Sequence, residues 1–458
     1  MSVVQRLGAG WLLDHLSFIS RCGYETQGSL AHPPRGALHP RDPAARATAC
    51  ASGDDPAPGD AVELEGGRGK TRYVFREEFF DVFKPHIEAA APERLCQGGS
   101  NGSPTDTVLW FVYFHCLFIL QKRKRKCVFN QGELDALEYH TKIRELIWEG
   151  TLHLVQEGLK SGVLHCTTTK LGCSKNVVPG HIGCGLAELC ERAKQFPAIN
   201  DSDREAIRAI DDETFISEQD LHSCVIENTS SCAKMIVLKG QKYLVPPRSS
   251  FLLSDISCLQ PLLNYKKKYD VIVMDPPWEN KSVKRSNRYG YLSSWQIKQI
   301  PVSALAAPNC LVVTWVTNRQ KHLRFVKDEL YPHWSVKTLA EWHWVKITRS
   351  GEFVFPLDSS HKKPYEVLVL GRVQGSVEEA LRKSEEVLPI PDHKLIVSVP
   401  CSLHSHKPPL TEVLAEFVKP DAERLELFAR NLQPGWTSWG NEVLKFQHID
   451  YFTVLQDE

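Results

Sequence analysis

The sequence predicts an α/β protein: a C-terminal domain built around a mostly parallel β-sheet, preceded by a mainly helical, partly disordered N-terminal region. The first observation behind this prediction is that short apolar runs of strand length alternate with helical patterns after residue 232, as they do in β-α-β units. The second is that residues 130–162 repeat apolar side chains at three-to-four spacing, which is typical of helices.

Composition limits the class of protein. With 458 residues, of which 42% are hydrophobic and 24% charged, the chain is expected to form two or three globular domains. Its 55 basic residues balance its 55 acidic ones, so any contact with nucleic acid must come from local clusters of charge. The 14 cysteines are dispersed without a CxxC pair, which indicates reduced thiols in an intracellular protein rather than a disulfide scaffold.

A cluster of cysteine and histidine side chains raises the alternative of a zinc site. The spacings within the cluster fit no standard ligand pattern, and we therefore predict no metal. The members of the cluster are His165, Cys166, Cys173, His181, Cys184 and Cys190.

The N-terminal region begins with two segments of different character. Residues 1–27 form a short amphipathic segment, for which we predict a helix, because the apolar run around Trp11 lacks the charged start and the cleavage site of a signal peptide. Residues 28–106 are predicted to be largely disordered. They are rich in Pro, Ala, Gly, Arg and Asp, and hold too little apolar surface to offset the entropy lost on ordering.

Residues 107–129 combine a hydrophobic run, Val108–Leu120, with a basic cluster, Lys122–Lys126. The run has 13 residues, which in a helix reach about 20 Å, short of the ~30 Å hydrocarbon core of a bilayer. A buried segment is therefore favoured over a membrane anchor, and no membrane partner is predicted. The basic cluster is either a solvated patch or a nuclear-localisation signal. We predict a nuclear protein, with the cytosol or the mitochondrion as alternatives.

Residues 130–232 are predicted to form a helical domain without visible chemistry, and residues 233–458 the α/β domain, which opens with a hairpin around Gly240-Gln241. Beyond residue 162, helices are predicted at Ala187–Phe196, Asp203–Ile210 and Ser217–Glu227. The strands predicted in the α/β domain are Phe251–Leu253, Val271–Met274, Leu311–Val316, Val367–Leu370, Leu395–Val399 and Leu425–Phe428, and its helices are Gln296–Leu305, Asn318–Leu330 and Thr411–Val418.

One strand end carries the strongest chemical signal. The apolar strand Val271–Met274 runs directly into Asp275-Pro276-Pro277-Trp278, and parallel sheets bind ligands outside the carboxyl ends of their strands. Asp275 and the Pro276 carbonyl can accept the two hydrogens of an aromatic amine, and Trp278 offers a flat surface beside a planar base. Accepting those hydrogens would localise the nitrogen lone pair, which in adenine is conjugated with the ring. A purely structural turn with a buried tryptophan is the alternative.

These four residues resemble the catalytic signature of the methyltransferase-like adenine-N6 methyltransferases, which use S-adenosylmethionine. The resemblance extends over residues 251–445, and two N-terminal motifs are similar to one branch of that family. The matching C-terminal motifs are Trp315–Thr317, Trp344–Lys346, Ser405–Pro408, Glu426–Arg430, Gln433–Trp436 and Gly440-Asn441, and the N-terminal ones are Phe129–Asp135 and Glu138–Arg144.

The resemblance implies a Rossmann-like methyltransferase core with permuted motif order, in which the catalytic strand precedes the cofactor strand along the chain. It also implies that the reaction requires no metal, and that Lys407 pairs with the methionine carboxylate of the cofactor. The catalytic residues that it implies are Asp275, Pro276, Pro277 and Trp278, and the cofactor-binding residues are Asp255, Ile256, Lys407, Arg430, Asn431, Asn441 and Glu442.

A basic and aromatic cluster follows the catalytic motif and predicts a path for a nucleic-acid strand, since phosphate attraction combined with base stacking holds single strands. The tract Lys266–Lys268 either extends this path or is a solvated loop, and the segment His361–Pro364 could contact phosphate as well. The members of the cluster are Lys281, Lys284, Arg285, Arg288, Tyr289 and Tyr291.

The residues and the resemblance together predict an enzyme that methylates the N6 amine of adenine in nucleic acid. RNA is the first choice of substrate, in particular small nuclear RNA carrying 2′-O-methyladenosine. DNA is the alternative, because discrimination depends on a pocket for the ribose 2′ position, which the sequence does not define. An inactive RNA-binding subunit is an alternative of another class, although the intact Asp275–Trp278 motif argues against it. The protein acts either as a monomer or with a protein partner.

Overall fold

The computed structural model describes residues 2–27, 70–83, 85, 130–165, 206–210, 216, 218–254, 258–279, 291–359, 362–375, 388–403 and 405–455. The strands are β1 Val3–Leu7, β2 Gly10–Leu13, β3 Glu25–Gln27, β4 Lys70–Phe75, β5 Ile207–Ala209, β6 Val225–Asn228, β7 Lys234–Leu238, β8 Gln241–Val245, β9 Ser249–Leu253, β10 Tyr269–Met274, β11 Ala306–Val316, β12 Val336–Lys346, β13 Tyr365–Val373, β14 Leu395–Ser398, β15 Arg424–Leu427, β16 Trp436–Gly440 and β17 Phe452–Leu455.

In the part of the chain that the structure describes, the helices are short with one exception, the 30-residue helix α2. They are α1 His15–Ser20, α2 Gln131–Lys160, α3 Glu218–Ser223, α4 Gln260–Asn264, α5 Ser294–Lys298, α6 Val302–Leu305, α7 Gln320–Arg324 and α8 Thr411–Leu414. A π-helical segment, Phe325–Leu330, and a last α-helical turn, Tyr331–His333, continue α7. The 3-10 turns lie at Glu77–Phe80, Ala415–Phe417, Lys445–Gln447 and Ile449–Tyr451.

Twelve strands of the described part form one sheet in the order β1-β2-β14-β12-β13-β11-β10-β15-β16-β9-β6-β5. Its central run, β11-β10-β15-β16-β9, is parallel throughout. This arrangement confirms the predicted α/β class with a mostly parallel sheet. Two smaller sheets, β17-β4-β3 and β7-β8, lie beside it, and the second of these is the hairpin predicted around Gly240-Gln241.

Both faces of the main sheet are buried, which explains why its central strands read as continuous apolar runs. In β10, Val271 and Val273 pack on one face and Ile272 and Met274 on the other, because successive side chains of a strand point to opposite faces. Helices α4 to α7 cover the face of Ile272, whereas α8 and the following 3-10 turn cover the opposite face, to which β2, a strand of the same sheet, contributes the side chains of Trp11 and Leu13. Burial on both faces, at about 2 kcal/mol for each large apolar side chain, holds the strand ends in place.

The N-terminal segment is a strand hairpin, which corrects the predicted helix. β1 and β2 pair antiparallel, and β2 joins the main sheet beside β14, so that a helix is left only at α1. Trp11, Leu12 and Leu13 are all buried, since this run is apolar on both faces of a strand rather than on one face of a helix. Glycine is required at position 10, because a Cβ on Gly10 would lie 1.9 Å from the carbonyl oxygen of Leu395.

Residues 130–232 contain more strand than predicted. Helix α2 agrees with the helix expected from residue 130, and a capping box between Asn130 and Glu133 closes its N-terminus. Strand β5 occupies residues 207–209 of the predicted helix Asp203–Ile210. Helix α3 confirms the first part of the predicted helix Ser217–Glu227, whereas β6 occupies its last three residues. The helix predictions were wrong only for the residues of β5 and β6, because these short segments gain hydrogen bonds by extending the main sheet beyond β9.

Part of the range that was predicted to be largely disordered is regular structure. Strand β4 pairs with both β3 and β17, which lie far from it in sequence. Residues 28–69 and 86–129, which include the hydrophobic run and the basic cluster, lie outside the described residues, as does the helix predicted at Ala187–Phe196. Among the described residues, no helix combines the length and the apolar character needed to cross a membrane.

Candidate active site

The carboxyl ends of three neighbouring parallel strands meet at one edge of the main sheet. Strand β10 delivers Asp275, β15 leads to Arg430, and β16 delivers Asn441 and Glu442. Because β15 lies between β10 and β16, these side chains converge although they are far apart in sequence. The structure therefore places Asp275 of the predicted catalytic motif beside Arg430 and Glu442 of the implied cofactor set.

The site residues form a chain of alternating charges along this edge. Arg430 donates to Asp275 Oδ2 and to Glu442, each at 3.0 Å. On the other side, Lys407 Nζ lies 3.7 Å from the same Asp275 oxygen and donates to Glu366. In spatial order the members are Lys346, Glu366, Lys407, Asp275, Arg430, Glu442 and Lys445. The chain begins and ends with a cation, so its charges suit an anionic ligand group.

Burial and pairing shift the pKa values of these groups. Burial by itself would lower the pKa of Lys407 and of Arg430, but the neighbouring carboxylates, Asp275 first, raise both pKa values above their ordinary range. Burial would raise the pKa of Glu366, but Lys407 and Lys346 bring that pKa well below its ordinary value. Lys407, Arg430 and Glu366 therefore carry their charges at neutral pH.

Glu426 is a carboxyl group of a different kind at this edge. It lies on β15, beside the strand that delivers Asp275, and accepts a hydrogen bond from Gln433 Nε2 at 3.1 Å. Burial, and after it the charge of Asp275, raises the pKa of Glu426 to about 7. A proton on Glu426 avoids placing a second negative charge close to Asp275.

Two residues that precede the cations of the site have unusual backbone conformations. Ser405 and Phe428 have φ angles of +68° and +62°, in the left-handed region that residues other than glycine rarely occupy. Each lies two residues before a cation, Lys407 in the first case and Arg430 in the second. The ring of Phe428 packs edge-on against Trp439 at 5.2 Å, a contact that helps to hold the turn. Strained backbone of this kind is typical of functional sites, where surrounding packing sustains it.

The catalytic motif forms a tight turn that buries its tryptophan. The Trp278 N–H donates to the Pro276 carbonyl at 2.8 Å, and the Leu292 N–H donates to the Pro277 carbonyl at 3.1 Å. The Trp278 indole N–H donates to the carbonyl of Trp315 at 2.9 Å, and only 6% of Trp278 is exposed. Its ring therefore lies in the core and holds the turn, which matches the structural alternative for this residue. The Pro276 carbonyl keeps a second lone pair for another donor.

Two further residues of the implied cofactor set, Asn431 and Asn441, lie in closely packed surroundings. Asn431 and Lys407 line one small internal cavity, which they share with His15 of the N-terminal segment. Asn441 follows Gly440, where a Cβ would lie 2.9 Å from the carbonyl oxygen of Ala429. The implied cofactor residues Asp255 and Ile256 lie outside the described residues, and so do Lys281, Lys284, Arg285, Arg288 and Tyr289 of the basic and aromatic cluster.

The two segments considered for the nucleic-acid path, Lys266–Lys268 and the described part of His361–Pro364, lie at different edges of the main sheet. The tract Lys266–Lys268 precedes β10 and lies at the amino end of that strand, where Lys267 pairs with Glu423 at 2.8 Å. This tract is therefore at the opposite edge of the sheet from Asp275, and the prediction that it extends the path was wrong. Lys362, in contrast, is exposed in the loop that leads to β13 and thus to the site edge.

No functional role was predicted for three charged residues that the structure places at this edge: Lys346, Glu366 and Glu426. A signal was available for Glu366, because its carboxylate interrupts an apolar strand, and carboxylates are almost never buried in a sheet unless they are paired. The partners of Glu366 could not be read from the sequence, since Lys346 and Lys407 belong to other strands and loops.

The described residues contain no group of three or more His, Cys, Asp or Glu side chains that could hold a metal ion. Of the cysteine and histidine cluster considered as a zinc site, His165 is described and the other five members are not.

Comparison with known proteins finds relatives of the whole chain and of its C-terminal part. A sequence model of the MT-A70 family matches residues 269–442. The human N(6)-adenine-specific methyltransferase METTL4 is 57% identical over 475 residues, which cover 100% of this chain and 99% of the relative. The N6-methyladenosine RNA methyltransferase MTA1 of Pyricularia oryzae is 35% identical over 248 residues, covering 52% of this chain and 63% of the relative. A DNA N6-methyl methyltransferase of Caenorhabditis elegans is 33% identical over 219 residues, covering 47% and 56%.

Proposed function

The chain belongs to the MT-A70 family of adenine-N6 methyltransferases, and from that premise we propose that it methylates an adenine of RNA with S-adenosylmethionine as the methyl donor. The relationship confirms the resemblance found in the motifs, including its branch, that of methyltransferase-like protein 4. One observation carries the proposal: Asp275 lies at the carboxyl end of β10, with Lys407 and Arg430 beside one of its oxygens.

The chemistry proposed for the motif is the orientation of an amine. Within the described residues, Lys407 and Arg430 both pair with Asp275 Oδ2 and no side chain donates a hydrogen bond to Oδ1, so Oδ1 is free to accept one hydrogen of the adenine N6 amine. The remaining lone pair of the Pro276 carbonyl accepts the other hydrogen. These two bonds localise the nitrogen lone pair and fix its direction, and such positioning supplies most of the rate in reactions that need little acid–base catalysis.

The residues at the edge fit the cofactor that the family implies. S-adenosylmethionine, when bound, supplies an electrophilic methyl group on a sulfonium. Lys407 is suited to bind the carboxylate of this cofactor, because its buried ammonium belongs to the chain of alternating charges, which has an excess of cations. The ammonium also lies 4.9 Å from the ring of Trp315. The residues that we propose to hold the cofactor are Lys407, Arg430, Asn431, Asn441 and Glu442, together with Asp255 and Ile256. We also propose the permuted motif order, with the catalytic strand β10 before the cofactor strand β15.

RNA is the proposed polymer because its unpaired adenines reach a site at a sheet edge without the cost of extrusion from a duplex. Small nuclear RNA with a 2′-O-methyladenosine is the specific substrate that we propose. The name of the Pyricularia oryzae relative is consistent with RNA, whereas that of the Caenorhabditis elegans relative favours DNA as the second candidate. A nuclear location, and action as a monomer or with a protein partner, are parts of the same proposal.

The first experiment is transfer of labelled methyl from S-adenosylmethionine by the purified full chain. Its acceptors are matched oligonucleotides with one adenine each: RNA, 2′-O-methylated RNA, single-stranded DNA and double-stranded DNA. We expect label on RNA, and most on the 2′-O-methylated form. Label confined to DNA would overturn the substrate, and no label despite measured cofactor binding would favour a binding subunit. The Asp275→Ala variant is the control, and methylation by it at the wild-type rate would remove the catalytic assignment.

A further inference from the structure

Helix α2 presents one motif to the catalytic domain that the proposed chemistry does not use. In this motif, Glu138–Arg144, the side chains of Tyr139, His140 and Arg144 contact the catalytic domain, although they lie far before it in sequence. Tyr139 Oη donates to Glu341 Oε2 at 3.1 Å and lies 2.9 Å from a His343 ring nitrogen. The motif therefore does more than build a helix.

Arg144 and His140 both form hydrogen bonds with one carboxylate of the catalytic domain, that of Asp358. Arg144 Nε and Nη2 donate to the two oxygens of Asp358 at 2.8 and 2.9 Å, the bidentate geometry of a strong ion pair. His140 Nε2 lies 3.1 Å from Asp358 Oδ1, and its Nδ1 lies 3.0 Å from the hydroxyl of Tyr365. Because a carboxylate only accepts, Nε2 donates to Asp358 and Nδ1 accepts from Tyr365. The imidazole is 3% exposed and stacks on the Tyr365 ring, with 10° between the planes.

Asp358 and Tyr365, the two residues that α2 holds by hydrogen bonds, lie at opposite ends of the loop that leads to Glu366. Asp358 is near its start, and Tyr365 is the first residue of β13 and the neighbour of Glu366. The backbone here is held from the other side as well, since Asn318 Nδ2 donates to the Tyr365 carbonyl at 2.6 Å. Glu366 in turn anchors Lys407, which lies 3.7 Å from Asp275. A short path of direct contacts thus joins α2 to the catalytic aspartate.

We propose that Arg144 and His140 are positioning residues for the methyl transfer: by holding Asp358 and Tyr365 they fix Glu366 and, through it, Lys407. The inference rests on the proposed function, because it assigns Lys407 and Asp275 their roles. It explains why a helix outside the residues matched by the MT-A70 model carries a motif of polar side chains that face inward. A displacement of about 1 Å in an active site can cost on the order of 100-fold in rate, so a lost link at this distance is expected to be measurable.

The test is the Arg144→Met variant of the full chain, which keeps an aliphatic side chain and removes both hydrogen bonds. Expected results are a kcat about 10-fold lower, weaker S-adenosylmethionine binding by calorimetry, and faster hydrogen exchange in a peptide covering residues 362–373. The matched control is Lys142→Met on the same helix, where Lys142 makes an exposed pair with Glu138 and should change none of the three. Arg144→Lys should recover part of the lost kcat and cofactor affinity, because lysine restores the positive charge and one hydrogen bond to Asp358.

Asp358→Asn provides a second route if Arg144→Met is poorly folded, and the double variant tests the link itself. Two changes that break one link should together cost no more than the larger single effect, whereas independent effects would multiply. Faster exchange with unchanged kcat and unchanged cofactor binding would overturn the inference, because the contacts would then be structural only. Hydrogen exchange at the wild-type rate in residues 362–373 of the Arg144→Met variant would also overturn the inference. Hydrogen exchange and calorimetry need no nucleic-acid acceptor. A wild-type chain that methylates no polymer would therefore refute the proposed function, while the comparison of exchange and cofactor binding between wild type and variants would still test the link from α2 to Lys407.

Discussion

Replacing Glu426 by glutamine should stabilise the protein at alkaline pH, although Glu426 lies in the candidate active site. Glutamine has nearly the same shape and keeps a carbonyl oxygen to accept the bond from Gln433. The variant removes a carboxyl group whose ionised form the fold disfavours, since burial and the neighbouring charge of Asp275 raise the pKa of Glu426 from 4.5 to about 7.

The sign and size follow from this pKa. Below pH 4.5 the carboxyl group is protonated in both the folded and the unfolded chain, so it contributes no pH dependence. Between pH 4.5 and about 7 the unfolded chain has released this proton and the folded chain retains it, so the free energy of unfolding falls as the pH rises. At about 1.4 kcal/mol for each pKa unit between 4.5 and about 7, the loss at pH 8 is slightly more than ~3 kcal/mol. Glu426→Gln removes this loss.

The assay is urea unfolding of the wild type and of Glu426→Gln at pH 5 and pH 8. We expect the variant to be more stable by about 3 kcal/mol at pH 8, and to differ by less than about 1 kcal/mol at pH 5. Glu442→Gln is a control of opposite sign, because Lys445 and Arg430 lower the pKa of Glu442 against the effect of burial, and losing that carboxylate should destabilise the fold at pH 8. A Glu426→Gln variant that is less stable than wild type at pH 8 would refute the reasoning.

Three further substitutions test the site and its support. Lys407→Met should weaken S-adenosylmethionine binding by about 10- to 100-fold, as expected for a hydrogen bond to a charged group, and calorimetry showing wild-type affinity would remove its assignment. Trp278→Phe leaves the Trp315 carbonyl without its indole donor and should cost about 1–3 kcal/mol in urea unfolding, whereas an unchanged midpoint would contradict this contact. Gly10→Ala places a Cβ against the Leu395 carbonyl and should expose the N-terminal hairpin to limited proteolysis; continued protection would show that the sheet can shift to accept it.

Local patterns were sufficient for much of the C-terminal domain. The strand Val271–Met274 was predictable because a strand buried on both faces must be apolar at every position, and the structure extends it by two residues to Tyr269. The motif that follows was predictable because prolines directly after such a strand restrict the backbone. The same logic failed for residues 10–13, where four residues are too few to separate a buried strand from a helix by periodicity.

The sequence by itself determined the α/β class, the proline-containing turn after Asp275 and, through its motifs, the family, since each of these is encoded in contiguous residues. Only the tertiary structure decided which charges meet. Glu366 pairs with Lys407, and Asp358 with Arg144, across long stretches of chain. The pKa values of such groups depend on burial and on neighbours within a few ångströms, and these are properties of strand order rather than of local sequence. An isolated glutamate in a strand, such as Glu366 or Glu426, therefore acquires its charge state and its role only when the sheet has assembled.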